Sequence, residues 1–301
     1  MALNPVVIER GLRVEFARQM AAFQAAREIN PGLMGAATVI QSNGAYEKMG
    51  WLGAMPQVKE WLGELSAKEL NDYDYTIKNK DWAAAVPVNQ NDLDDDQTGT
   101  IAMIPEFLVN RVMAHPEKLM IELLTGGTTG LAYDGVAFFS DASGVRVNDN
   151  LLGGTGTTLA QIEADLNAAL VAMAKFVDDQ GEVMNVKGNM IVCPKALENK
   201  FNRLVNSDSD PTSSAQGTFN PYAGKFTVFG DARLDATDAN DWYLLGAGEV
   251  VKPFVFSMRQ AGKPRFFQPG NGVTKQWLAS ADYRGNAGYG LPQLAVKTVN
   301  S

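Results

Sequence analysis

The sequence predicts an α+β fold. Apolar residues make up 46% of the 301 positions, enough for a substantial core in one large domain or two ordinary ones. Glycine occupies 29 positions, about 10% against the usual ~7%, which favours turns and strands over a helical bundle. Helical spacing and strand-like alternation both occur, in separate stretches of the chain.

Residues 1–45 read as an arm. Ile8, Leu12, Phe16 and Met20 fall four apart, as on a short amphipathic helix, and Asn30-Pro31-Gly32 ends it. Leu33 to Gly44 has no periodicity and reads as a loose connector. An arm of this kind buries little by itself and needs another surface to lie on. Residues 46–96 crowd Trp51, Trp61, Tyr73, Tyr75 and Trp82 together. Tyr73 to Ile77 alternates as a strand does, Trp82 to Val88 reads as its return strand, and Asn79-Lys80-Asp81 as the turn of a long β-hairpin. A two-stranded hairpin is marginal alone, so a partner surface is implied. Trp and Tyr are the usual anchors of interfaces. Trp61, Tyr73, Tyr75 and Trp82 are therefore candidate interface residues.

A helix is predicted over 100–125. Pro105 suits a first helical position, Ile104, Leu108, Val112, Leu119 and Leu123 mark an apolar side, and Gly126-Gly127 stops it. Pro116 cannot donate to the ladder, so a kink or break is expected near His115. Tyr133 to Ser140 reads as a turn and a short strand. Residues 157–254 form a compact α+β unit. Thr158 and Gln161 fit a capping box, Ile162, Leu166, Leu170, Met173 and Val177 continue one face, and Gly181 follows as a stop. Asn189 to Cys193 is a buried strand. Pro194 opens a helix with Leu197, Phe201 and Leu204 inward. After a polar loop from Ser207 to Thr218, strands are expected at Phe226–Phe229, Trp242–Leu245 and Val250–Phe256. Thr274–Arg284 and Leu291–Val299 complete the strands.

Charge is unevenly placed. The whole chain carries −8 with a pI near 4.8, a poor match to a dedicated nucleic-acid binder with a basic face. The 46–96 block holds five basic and eleven acidic residues, a net of −6, whereas 257–301 holds six basic and one acidic, a net of +5. Arg259, Lys263 and Arg265 are the candidates to receive an acidic partner segment. No apolar run approaches the roughly 18 residues of a membrane span. Glu9 falls where a signal peptide needs its apolar stretch, which argues against secretion.

The rare residues exclude most chemistry. One cysteine permits no internal disulfide, and one histidine leaves a zinc site only Cys193 and His115. A catalytic triad would have to use His115, which precedes a proline inside a helical pattern. Asp92 to Asp96 fails as a calcium loop, because Gln97 stands at the glycine position and Met103 at the twelfth. Acidic residues before a helix suit its positive end instead. Gly126 to Gly130 and Gly153 to Gly156 match neither phosphate-loop pattern and read as turns. Cys193 reads as a small buried hydrophobe and His115 as a satisfied structural histidine. No catalytic, cofactor-binding or metal-binding residue is expected.

Several motifs resemble one family. Met55-Pro56-Gln57-Val58-Lys59-Glu60-Trp61-Leu62-Gly63-Glu64 is similar to the P-x-V-(R/K)-E-W-x-G-E segment of the Mu-like major head subunit family. Asn89 to Asp96 looks like its R-x-D-I-x-x-D stretch, with Asn89 or Gln90 where a basic residue is common. Leu123-Leu124, the glycine pair, then Tyr133-Asp134-Gly135 to Phe138-Phe139-Ser140 resemble its LL-x-x-G and YDG-x-x-FF-S. Trp242-Tyr243-Leu244 with Lys252-Pro253, and Arg284 to Gly290, resemble its W-Y-L, K-P and closing R-x-N-x-G-Y-G. The family often has a His shortly after FFS, whereas this chain reads Ser140-Asp141-Ala142-Ser143-Gly144.

The resemblance implies the HK97-type phage capsid fold. It divides the chain into an N-terminal arm (1–45), an extended E-loop (46–98), a spine helix with peripheral domain (99–156), an axial domain (157–256) and returning strands (257–301). It implies a major capsid protein that self-assembles into pentamers and hexamers of an icosahedral shell around dsDNA. Scaffold and portal proteins, a decoration protein and non-specific contact with packaged dsDNA are the implied partners, with no membrane. The implied place is the virion, assembled in the bacterial host cytoplasm. Two other classes stay open: an encapsulin-like shell around cargo protein, and an enzyme that uses carboxylates alone.

Overall fold

The computed structural model describes residues 14, 17, 18, 21, 22, 25, 32–52, 72–89, 91, 104–141, 146–178, 181–212, 218–237, 239–248, 250–268 and 276–300. The arm's Ile8, Leu12, Phe16 and Met20, the segment around Trp61 and the Asp92–Asp96 run lie outside them. Of the arm's first part, the described residues Val14, Ala17, Arg18, Ala21, Ala22 and Ala25 are helical and exposed.

One sheet has the order β1 (Ala37–Gln41), β9 (Phe254–Phe267), β10 (Gln276–Tyr289), β4 (Lys80–Asn89). β1 runs parallel to β9, and the other neighbours are antiparallel. β10 alternates: Ala279, Ala281, Tyr283, Ala287 and Tyr289 are buried, while Ser280, Asp282, Arg284 and Asn286 are half-exposed. Successive strand side chains point to opposite faces, so one face of this sheet is covered. Its cover is α1 (Ile104–Gly126), whose Leu108, Val109, Val112, Leu119, Met120 and Leu124 share one core with β10.

Of the kink or break expected near His115, no break occurs, and α1 runs unbroken past Pro116. Apolar residues on both sides of the proline are sunk in the same core, and that burial outweighs one missing ladder hydrogen bond. The loose connector also proves to be structured. Gly32–Ala36 is a 3₁₀ turn with Leu33 and Ala36 fully buried, and β1 follows it. β1 takes its ladder from β9, near the other end of the chain, so local periodicity could not reveal it.

The second sheet has the order β5 (Leu151–Gly153), β11 (Ala295–Val299), β8 (Trp242–Leu245), β6 (Met190–Pro194), β7 (Thr227–Asp231). α2 (Leu159–Ala174) and α3 (Lys195–Asn206) cover one face, packing Ile162, Leu166, Met173, Leu197 and Phe201 on Ile191, Cys193, Trp242, Leu244 and Val296. The alternate residues Met190, Val192, Tyr243, Leu245 and Ala295 enter the core that α1 shares with the first sheet. Burial on both faces explains why these strands read as continuous apolar runs. The capping box forms, with the Thr158 N–H donating to Gln161 Oε1 at 3.1 Å. α2 ends at Ala174, short of the expected Val177, which instead bridges Val183. β9 begins at Phe254 and runs on to Phe267, and a 3₁₀ turn at Pro292–Leu294 precedes β11.

The long hairpin is built from different strands than expected. β3 (Asp72–Lys78) pairs antiparallel with β2 (Tyr46–Leu52), and β4 pairs with β10. Only Asn79 separates β3 from β4. One residue cannot reverse a chain in a hairpin, which takes a loop of two at least. The chain instead passes from a two-stranded ribbon straight into the first sheet.

Candidate assembly surfaces

The ribbon is rooted at Asn79. The Asn79 side-chain amide donates to Ser42 Oγ at 2.7 Å and to the Gly44 carbonyl at 3.0 Å, while the Ser257 hydroxyl donates to its Oδ1 at 2.7 Å. The Asn79 N–H bonds the Ala45 carbonyl, and the Ser42 N–H bonds the Met258 carbonyl. Both ribbon strands are thus tied to β9 through one buried amide. The Ser42 hydroxyl also donates to Glu47 Oε1 at 2.6 Å. That bond, with the Gly44 and Asn43 N–H groups and the Arg259 charge, holds the Glu47 carboxyl below its ordinary value.

Above the root, Ile77 is buried against Gly288 of β10. A Cβ at Gly288 would come within 2.6 Å of Ile77, so glycine is what lets the ribbon sit down on the sheet. Tyr75 is half-buried beside it and accepts from the Tyr289 N–H at 3.3 Å. Burial pushes the Tyr75 phenol up and raises Tyr289 to about 12, so both stay neutral donors and acceptors. Tyr73 stands opposite Trp51 in the β2–β3 ladder.

Trp82 has more cover in its own chain than the sequence suggests. Its indole N–H donates to the Gly285 carbonyl at 3.0 Å, and its ring lies 4.5 Å from the His115 ring on α1. His115 Nδ1 is 2.5 Å from the Tyr283 hydroxyl. The edge of Trp82 left in solvent is what it can offer another chain.

The basic end is partly neutralised at home. Arg265 Nε lies 3.0 Å from Asp282, Arg284 Nε 3.1 Å from Asp81, and Lys297 Nζ 2.7 Å from the buried Asp241. Arg259 is half-buried near Glu47, and Lys263 is exposed opposite Asp282 in the ladder. Arg265, Asp282, Lys263, Arg284 and Asp81 therefore form a mixed charged band across the uncovered face of the first sheet. Among the residues that sequence reasoning missed are Ser42, Asn79 and Ser257, whose polar side chains give no sign of burial. No signal in the sequence marks them: Asn79 reads there as the first residue of a three-residue turn.

The family described as the Mu-like prophage major head subunit gpT matches residues 10–160, 151–234 and 230–301. The Mu-like prophage FluMu major head subunit of Haemophilus influenzae is 25% identical over 263 residues, which are 86% of this chain and 63% of that protein. The major capsid protein of Escherichia phage Mu is 31% identical over 129 residues, 43% of this chain and 42% of that protein. The chain thus spans less than two thirds of the length of these relatives. Among solved structures, the procapsid of bacteriophage JBD30 aligns with 99% of this chain and 77% of its own at a TM-score of 0.53 and 21% identity. Microbacterium phage Oxtober96 aligns with 89% of this chain and 90% of its own at a TM-score of 0.58 and 13% identity. The fold shared with these phage structures is the HK97-type α+β fold.

Proposed function

The chain belongs to the Mu-like prophage major head subunit gpT family, and from that premise we propose that it is the major capsid subunit of a tailed, Mu-like phage or prophage. Its copies assemble into pentamers and hexamers of an icosahedral shell that encloses dsDNA. The observation that carries this reading is the ribbon. Among the described residues, its own chain supports it at Asn79, at Ile77 and Tyr75, and at Lys78, whose carbonyl accepts from the Asn286 side-chain amide at 3.0 Å, and a two-stranded ribbon beyond such a root needs neighbouring subunits to lie on.

In this reading the ribbon belongs to the E-loop (46–98), α1 is the spine, the first sheet carries the peripheral domain, and the second sheet with α2 and α3 is the axial domain. Trp61, Tyr73, Tyr75 and Trp82 contact a neighbouring subunit, whose Arg259, Lys263 and Arg265 receive the acidic 46–96 block. Scaffold and portal proteins take part in assembly in the host cytoplasm. A decoration protein binds outside, and packaged dsDNA touches the inner wall without sequence preference.

Negative-stain microscopy of the protein, expressed alone and with its phage's scaffold protein, tests the proposal. Closed shells or capsomers are expected, and small globular species in both preparations overturn it. The ratio of absorbance at the nucleic-acid and protein maxima in loaded particles separates a genome shell from an encapsulin-like shell filled with protein.

A further inference from the structure

His115 is the one histidine of the chain and stands midway along α1, where the helix crosses β4 and β10. Its ring faces Trp82 of β4 at 4.5 Å and Tyr283 of β10 at 5.8 Å between centroids, and its Nδ1 meets the Tyr283 hydroxyl at 2.5 Å. Trp82 follows the ribbon root at Asn79 by three positions and is pinned to β10 through Gly285. One imidazole thus joins the long helix to the two strands that hold the ribbon. We infer that this cluster is a proton-operated joint, closed by the neutral imidazole and loosened by the imidazolium.

Neutral His115 can accept the Tyr283 proton at Nδ1. Imidazolium donates from both nitrogens, so Nδ1 no longer accepts, the phenol must turn its proton away, and the hydrogen bond from the Tyr283 hydroxyl that closes the joint is lost. Among the described residues, these charged groups face the site. On α1, Lys118 repels a positive ring and Glu122 attracts it. On β4, Lys80 lies 5.8 Å over the Trp82 ring. On β10, Tyr283 stays neutral because burial drives its phenol up. Asp81 and Arg284 pair with each other on the opposite face of the sheet. Burial is the largest influence on His115, followed by Lys118, and both lower its pKa. A lowered folded-state pKa means that the neutral form is favoured by folding. The joint's contribution is complete above the ordinary histidine value of about 6.5 and is lost as pH falls through the lowered one.

The test is indole emission and amide exchange of the full chain between about pH 8 and about pH 5, the range in which histidine switches. A sigmoidal change in emission is expected, together with faster exchange in 80–85 after correction for intrinsic rates. Both are lost in His115→Gln, and the emission change is lost in Trp82→Phe. The same transition in His115→Gln overturns the inference. Should His115→Gln fail to fold, Tyr283→Phe keeps imidazole and indole but removes the hydroxyl that favours the neutral ring. Its transition should move to higher pH, and an unmoved midpoint overturns the inference.

Discussion

The two sheets bury themselves differently. The five-stranded sheet is covered on both faces, with α2 and α3 on one side and the α1 core on the other. Its strands β6 and β8 are buried at every position. Among the described residues, the four-stranded sheet is covered on one face only, and β10 keeps Ser280, Asp282, Arg284 and Asn286 half-open on the other. The first arrangement spends its apolar surface inside the chain. The second leaves a charged, small-residue face and a ribbon seated on the sheet through Asn79, Ile77, Tyr75 and Lys78, both available to another copy. Stability should therefore reside in the five-stranded module, and assembly in the four-stranded sheet and the ribbon.

The sharpest way to break this contrast is truncation in the covered module. Phe201 is fully buried on α3 with its ring 5.2 Å from Trp242. Phe201→Ala should cost about 3–5 kcal/mol, read as a lower midpoint in urea unfolding. Tyr46→Ala, on the exposed edge of the ribbon, should change stability by no more than about 0.5 kcal/mol. Equal losses in the two variants would remove the distinction.

Next in size is the seat of the ribbon. Gly288→Val places a Cβ within 2.6 Å of Ile77 and should cost about 1–3 kcal/mol by overpacking. Amide exchange in 46–52 and 72–78 should accelerate while the five-stranded module keeps its protection. Faster exchange throughout the chain would mean that the ribbon is part of the main core.

The charged band offers a smaller effect per subunit. Exposed ion pairs contribute about 0–1 kcal/mol each, so Lys263→Glu/Arg265→Glu should leave subunit unfolding almost unchanged. Particle yield by light scattering should drop, because many copies repeat the contact. Wild-type assembly should weaken with salt, as the Debye length shrinks from about 10 Å at 0.1 M to about 3 Å at 1 M. Assembly that ignores both changes would make the contact hydrophobic and the charge pattern incidental.

The smallest expected effect is at Cys193. Burial, then Glu198 and Asp235, push its thiol up to about 12. The folded chain therefore favours the neutral thiol. That contribution is fully present below the ordinary thiol range near 8.5 and is lost only as pH rises through it towards the raised value. At about pH 8 the native thiol should stay silent towards a disulfide reagent and react only when the module opens. Prompt reaction in the native state would show that the covered sheet opens locally.

The elements most legible in the sequence belong to the module that buries both faces. Leu197, Phe201 and Leu204 mark one side of α3 by spacing alone, and the runs at 190–194 and 242–245 are strands because every residue is apolar. The surfaces for assembly were less legible. Tyr75 and Trp82 stood out as aromatic anchors, yet each also packs on its own chain, at Tyr289 and at His115. Nothing in the residue types of Ser42, Asn79 and Ser257 signals that they meet, because a polar side chain shows its burial only through partners distant in sequence.

The sequence by itself determined the helices near 104–126, 159–174 and 195–206 with their apolar sides, and the strands at 190–194 and 242–245, since such periods and runs are written into neighbouring residues. It also determined the family, through short motifs in a fixed order. Only the tertiary structure decided that β3 pairs with β2 and β4 with β10, that residues 37–41 form an edge strand, and that α1 survives Pro116. Each of those choices rests on contacts between distant parts of the chain, where burial in a shared core outweighs the local preference for a turn, a connector or a helix break.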